Sequence, residues 1–141
     1  MMPQRTRVLM ATPDDIQLSA DFPVPPQVIY DAWLEGSQHA AMTGAPASGH
    51  ARVDAPFSAW DGYIWGTNLE LVCPHSIVQS WTTSDFPEGS PPSRLEIALE
   101  PGPHGTQLRL THSHIPPGQS DNYRRGWEDY YFKPMRDYFK G

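Results

Sequence analysis

The chain has 141 residues, a net charge of −6, 11% aromatic residues and 16 prolines. That length supports one domain burying roughly two-thirds of its unfolded surface, and the aromatic content excludes disorder. The prolines exclude an all-helical bundle, since each helix-interior proline costs about 3 kcal/mol, and the acidic balance without a basic stripe excludes nucleic acid as a partner.

Residues 1–13 carry no hydrophobic period, and a poorly ordered N-terminal segment is expected there, ahead of a single domain over 14–141. The apolar run Val8–Ala11 is too short for a signal peptide, and no run reaches transmembrane length. No membrane insertion and a cytoplasmic location are therefore expected. Ile16, Leu18, Ala20 and Phe22 alternate with polar residues and predict a half-buried strand. Pro26 suits the first position of a helix whose face is Val28, Ile29, Ala32 and Trp33, closed by Gly36. Ser37 opens a second short helical turn through Met42, stopped by Gly44 and Pro46.

From Ser48 the period changes to two. Arg52–Asp54 and Phe57–Trp60 read as short strands, and Asp61-Gly62 as a tight hairpin turn. Tyr63, Trp65, Thr67, Leu69, Leu71 and Cys73 then form one face of a long strand, bent near Gly66. Cys73, the single cysteine, permits no intrachain disulfide and reads as a buried or half-buried structural thiol. Ile77–Thr83 is a strand carrying Trp81, and residues 84–92 are a loop. Leu95, Ile97 and Leu99 mark the next strand, and Leu108, Leu110 and His112 the last.

Gln119–Lys140 is the longest candidate helix, roughly 30 Å in length. Trp127, Tyr130, Tyr131, Met135 and Tyr138 recur every three or four residues, with Phe132 and Phe139 on one flank. Asp129–Lys133 is an i, i+4 ion pair. Gly126 and Pro134 predict a bent rod, with Trp127 and Tyr131 facing the sheet just before the bend. Strands and helices segregate along the chain, so the fold class is α+β. An antiparallel meander must cover the aromatic face of the last helix.

Several stretches together resemble the Hsp90 ATPase activator homologue 1-like family, within the START/Bet v 1-like (SRPBCC) superfamily. They are Pro25–Trp33, Asp61–Val72, Ile77–Trp81, Leu95–Glu100, Gly105–His112 and Gly126–Pro134. The resemblance implies a helix-grip fold: a curved antiparallel sheet around a long C-terminal helix, with two short helices after the first strand. It also implies a space between sheet and helix that commonly holds an apolar ligand. A filled aromatic core and such a cavity share one sequence signature. The cavity lining it points to is Trp60, Trp65, Leu69, Trp81, Ile97, Leu110, His112, Trp127 and Tyr131.

The first functional expectation is a binding protein for a small hydrophobic or amphipathic ligand. The family resemblance implies an Hsp90-type chaperone partner as the alternative, and an SRPBCC enzyme as a third reading with His112 as its acid/base group. A second copy of the chain is a further candidate partner. His112-Ser-His114 places two imidazoles on one strand face, but Ile115–Ser120 brings no carboxylate, so no metal is expected. No nucleophile elbow, phosphate loop or dinucleotide fingerprint is present, so no cofactor is expected.

Overall fold

The computed structural model describes residues 14–140, and the expectation for residues 1–13 lies outside them. Six strands form one antiparallel sheet: β1 (Ile16–Phe22), β2 (Pro56–Ala59), β3 (Ile64–Val72), β4 (Ser76–Thr83), β5 (Ser93–Gly102) and β6 (Gly105–Ser113). Their spatial order is β1-β6-β5-β4-β3-β2. The meander from β2 to β6 is closed by β1, which pairs with β6 from Ile16↔His112 to Phe22↔Thr106. Two helices, α1 (Pro26–Leu34) and α2 (Gly36–Thr43), fill the connection between β1 and β2. A helical run ends the fold, as α3 (Ser120–Gly126), a π-helical turn (Trp127–Phe132) and α4 (Lys133–Phe139). This is the helix-grip architecture, α+β with a curved sheet against a long C-terminal helix.

Pro26 occupies the first turn of α1, where its missing N–H is no loss, and Gly44 ends α2 in the left-handed conformation. Gly36 starts α2 rather than merely closing α1. Val28 faces solvent while Tyr30 is buried. No strand forms at Arg52–Asp54. Asp54 there adopts positive φ, and Asn68 Nδ2 donates to the His50 and Arg52 carbonyls at 2.9 and 3.0 Å. Two backbone bonds, Asp54 N–H to the Asn68 carbonyl at 2.8 Å and Asn68 N–H to the Ala55 carbonyl at 3.0 Å, join these side-chain bonds in holding the stretch to β3.

The inward alternation holds on β4 (Ile77, Gln79, Trp81, Thr83), β5 (Leu95, Ile97, Leu99) and β6 (Leu108, Leu110, His112), all buried. It fails on β3. Ile64 and Asn68 are buried, whereas Trp65 is 44% and Leu69 40% exposed. Alternation favours the Trp65 phase, since the other carries Gly66, Asn68 and Glu70 beside Ile64, and at the start of β3 it points the wrong way. Gly66 decides it. A Cβ there would run into the Ser80 carbonyl and the Phe57 ring, so only glycine lets β2 and β4 close over this face. The β3–β4 register then shifts between Asn68 and Glu70, the irregularity expected near Gly66. Cys73 is exposed, beyond the end of β3, which corrects the buried-thiol expectation.

On the terminal helix the buried stripe is Tyr123, Trp127, Tyr131, Met135 and Phe139, joined by Phe132; Tyr130 and Tyr138 are outside it. A strict four-residue repeat drifts by about 40° per step around a helix of 3.6 residues per turn. The wider π turn, in which Lys133 N–H bonds to the Glu128 carbonyl, offsets part of that drift. It comes immediately before Pro134, which has no N–H to continue the ladder. The irregularity expected from Gly126 and Pro134 is therefore a π-helical turn. Asp129 and Lys133 form the expected ion pair, at 3.2 Å.

Candidate functional site

Where the terminal helix crosses the end of the sheet, a cleft of about 500 Å³ opens to solvent. The hairpin between β2 and β3 supplies Trp60, Tyr63 and Ile64; β4 supplies Trp81; the helical run supplies the rest, including Tyr123, Trp127, Tyr130 and Tyr131. Trp81 lies at the centre of the aromatic contacts. Its ring is 5.1 Å from Tyr123 and 5.5 Å from Trp127, centroid to centroid. The rim is polar: Asn122, Arg125 and Asp129 also line the opening.

The hairpin that carries Trp60 is unusual. Trp60, Asp61 and Gly62 all have positive φ, at 52°, 56° and 86°. For the two non-glycine residues the left-handed region costs roughly 1–2 kcal/mol each. The Trp60 ring packs edge-on to Tyr130 with centroids 5.4 Å apart. Its Nε1 is shielded from water and has no hydrogen-bond partner, the one buried side-chain polar atom so placed among the described residues.

Behind the cleft, the polar groups are fully engaged. Trp127 Nε1 donates to His112 Nδ1 at 3.2 Å, His112 Nε2 donates to Ser93 Oγ at 2.8 Å, and Ser93 Oγ donates to the Trp81 carbonyl at 2.6 Å. An acceptor role at Nδ1 fixes the proton on Nε2, so His112 is the neutral tautomer. His39 has the opposite tautomer. Its Nδ1 donates to the Trp33 carbonyl at 2.8 Å, so Nε2 accepts from the Tyr131 hydroxyl, also at 2.8 Å. Burial lowers the His112 pKa to about 3 and the His39 pKa to about 4, and raises that of Tyr131. A third chain runs from Trp33 Nε1 to Gln79 Oε1 (3.1 Å) and from Gln79 Nε2 to Asn68 Oδ1 (2.8 Å).

The chain matches the family model described as "Activator of Hsp90 ATPase homolog 1-like protein" over residues 23–140. It belongs to that family. The human activator of 90 kDa heat shock protein ATPase homolog 1 is 27% identical over 124 residues, which is 88% of this chain and 36% of the human protein. The chain spans little more than a third of the length of the curated relatives it matches. Among solved structures, an HSP90 activator from Plasmodium falciparum superposes with a TM-score of 0.80 at 24% identity, covering 88% of this chain and 94% of that one. The Aha1 dimer from Colwellia psychrerythraea gives 0.75 at 16% identity, covering 89% and 95%. These two likenesses establish the fold.

Within this activator-like fold, four of the residues expected to line a cavity meet at the cleft: Trp60, Trp81, Trp127 and Tyr131. Trp65 and Leu69 lie on the opposite, solvent face of β3, because the chain buries Ile64 and Asn68 instead. Ile97 and Leu110 pair across β5 and β6 and are sealed in the core, away from the opening. His112 is fully buried behind Trp81 and Trp127, with both nitrogens committed, which removes it as a ligand-facing or acid/base group. His114 is exposed with a φ of 61°, so the two histidines part company at the end of the strand.

Tyr63, Tyr123 and Tyr130 line the cleft although none was among the residues expected to line a cavity. The signal for Tyr123 was available, since it extends the four-residue spacing of Trp127, Tyr131 and Met135 by one step towards the N-terminus. His39 carried no such signal, because the Tyr131 hydroxyl it accepts from is 92 residues away.

Proposed function

We propose that this protein binds a small amphipathic molecule in the cleft between the β2–β3 hairpin, β4 and the terminal helix. The observation that carries the reading is the size and lining of that cleft. At about 500 Å³ it falls within the roughly 300–1,000 Å³ of small-molecule sites, and its walls are aromatic with a few polar groups at the rim. On this reading residues 14–141 act as one helix-grip unit, acting in the cytoplasm. No described helix is long and apolar enough to cross a membrane.

Titration of the purified protein with 2-naphthylmethanol and 2-naphthoate, followed by quenching of tryptophan fluorescence, tests it. Saturable binding that weakens in Tyr130→Ala is expected, because Tyr130 lines the cleft and is itself 58% exposed. Absence of saturable binding by either probe overturns the reading.

A chaperone-associated role is the second reading, favoured by the names of the curated relatives, which are activators of the 90 kDa heat shock protein ATPase. A second copy of the chain is a further partner on this reading, since one structural neighbour is a dimer. Stimulation of an Hsp90 ATPase by the purified chain supports it, and unchanged ATPase rates with no co-elution count against it.

A further inference from the structure

The cleft's polar lining is asymmetric in a way that specifies its occupant. Asp129 is engaged by Lys133 at 3.2 Å, and the Tyr63 hydroxyl donates to Asp85 at 2.6 Å. The Tyr123 hydroxyl donates to Gln119 Oε1 at 2.8 Å and lies 2.7 Å from Thr83 Oγ1, and the Tyr131 hydroxyl donates to His39. Two polar groups of the rim are left over. One is the Arg125 guanidinium, exposed at the rim and without an ion pair or hydrogen bond among the described residues. Its neighbour Arg124 turns the other way and donates to the Asp15 carbonyl at 3.4 Å. The second is the Asn122 amide, exposed and likewise without a hydrogen bond among the described residues. Both can donate, and of the two only the guanidinium carries a charge.

We propose that the natural occupant is a planar amphiphile bearing a carboxylate. Its apolar body lies against Trp81, Trp127 and Tyr130, and its carboxylate meets the Arg125 guanidinium. A planar guanidinium matches a carboxylate with two parallel donors, and charge-assisted bonds of this kind are roughly twice as strong as neutral ones. The chain carries a net charge of −6, so a positive group left unpaired beside an aromatic cleft is selective rather than part of a general basic surface.

The inference rests on the cleft being a binding site, and the test separates the two. Affinities of 2-naphthoate, 2-naphthylmethanol and 2-naphthylmethylammonium are measured by isothermal titration at low salt. The carboxylate is expected to bind about fivefold or more tightly than the alcohol, with the ammonium weakest. In Arg125→Gln the ratio of carboxylate to alcohol affinity collapses towards one. If the alcohol binds as well as the carboxylate, or Arg125→Gln leaves their ratio intact, the anion inference is overturned while the cleft remains a binding site. If none of the three probes binds, both readings fall together.

Discussion

Trp127 Nε1 donates to His112 Nδ1 at 3.2 Å, tying the terminal helix to the floor of the sheet through a fully buried imidazole. The bond decides the tautomer, and the tautomer decides that His112 is structural. Trp127→Phe keeps one aromatic ring but leaves a dry acceptor without its donor, which costs about 1–3 kcal/mol, and opens a small void in a buried site that adds to the loss. Urea unfolding should show that loss with an unchanged m-value. A cost below about 0.5 kcal/mol would mean that the bond contributes nothing net.

Two buried neutral histidines make stability depend on acid. Burial lowers His39 to about 4 and His112 to about 3, from an ordinary value of 6.5. Below about pH 6.5 the unfolded chain therefore takes up protons that the folded chain refuses. Stability is whole above that pH and drains as pH falls, by up to about 1.4 kcal/mol per unit for each histidine. The loss continues until His39 charges near pH 4 and His112 near pH 3. Urea midpoints should fall steadily from pH 7 to pH 5. His39→Gln and His112→Gln should each remove about half of that slope at some cost in stability at pH 7. A midpoint that is flat over this range would show that neither imidazole is held neutral.

Period and punctuation made most of the architecture legible. Pro26, Gly44, the Asp61-Gly62 turn and the inward triplets of β5 and β6 each point one way, and the structure follows them. The misplaced parts of the site have two causes: Ile97 and Leu110 face inward where the core is filled, and Trp65 and Leu69 face outward. On β3 the more apolar phase, Trp65 and Leu69, faces out, because the inner phase is held by a close-packed Gly66 and a hydrogen-bonded Asn68 that a period of two does not reveal. The polar networks were illegible for another reason. Gln79 with Asn68, and His39 with Tyr131, are long-range pairs that only the tertiary fold brings together. His112 was correctly turned inward by parity, but its lack of any free nitrogen depends on Ser93 and Trp127 from other elements.

The phase of β3 can be tested directly. Trp65→Ser and Leu69→Ser alter exposed side chains and should stay within about 0.5 kcal/mol of the parent, whereas Ile64→Ala should lose about 2–4 kcal/mol. Large losses at Trp65 and Leu69 with tolerance at Ile64 would restore the opposite face.

Gly66 should be the least replaceable residue of that strand. Its φ is unexceptional, so the constraint is space: an added methyl meets the Ser80 carbonyl on β4 and the Phe57 ring from β2. The Phe57 ring can turn, but the carbonyl belongs to a hydrogen-bonded strand and moves only if the β3–β4 ladder shifts. Thr67 N–H donates to Ser80 Oγ at 2.9 Å, and Ser80 pairs with Arg94 on β5, so the displacement would pass across three strands. Gly66→Ala is accordingly expected to cost about 3 kcal/mol or more, and Gly66→Val to prevent folding. The same shift would move Trp60 and Ile64 away from Trp81, opening the cleft's hairpin side. A Gly66→Ala protein that still folds should therefore lose affinity for the naphthyl probes as well as stability. Unchanged stability and affinity in Gly66→Ala would mean that β2 and β4 do not approach as closely over this face as the structure has them.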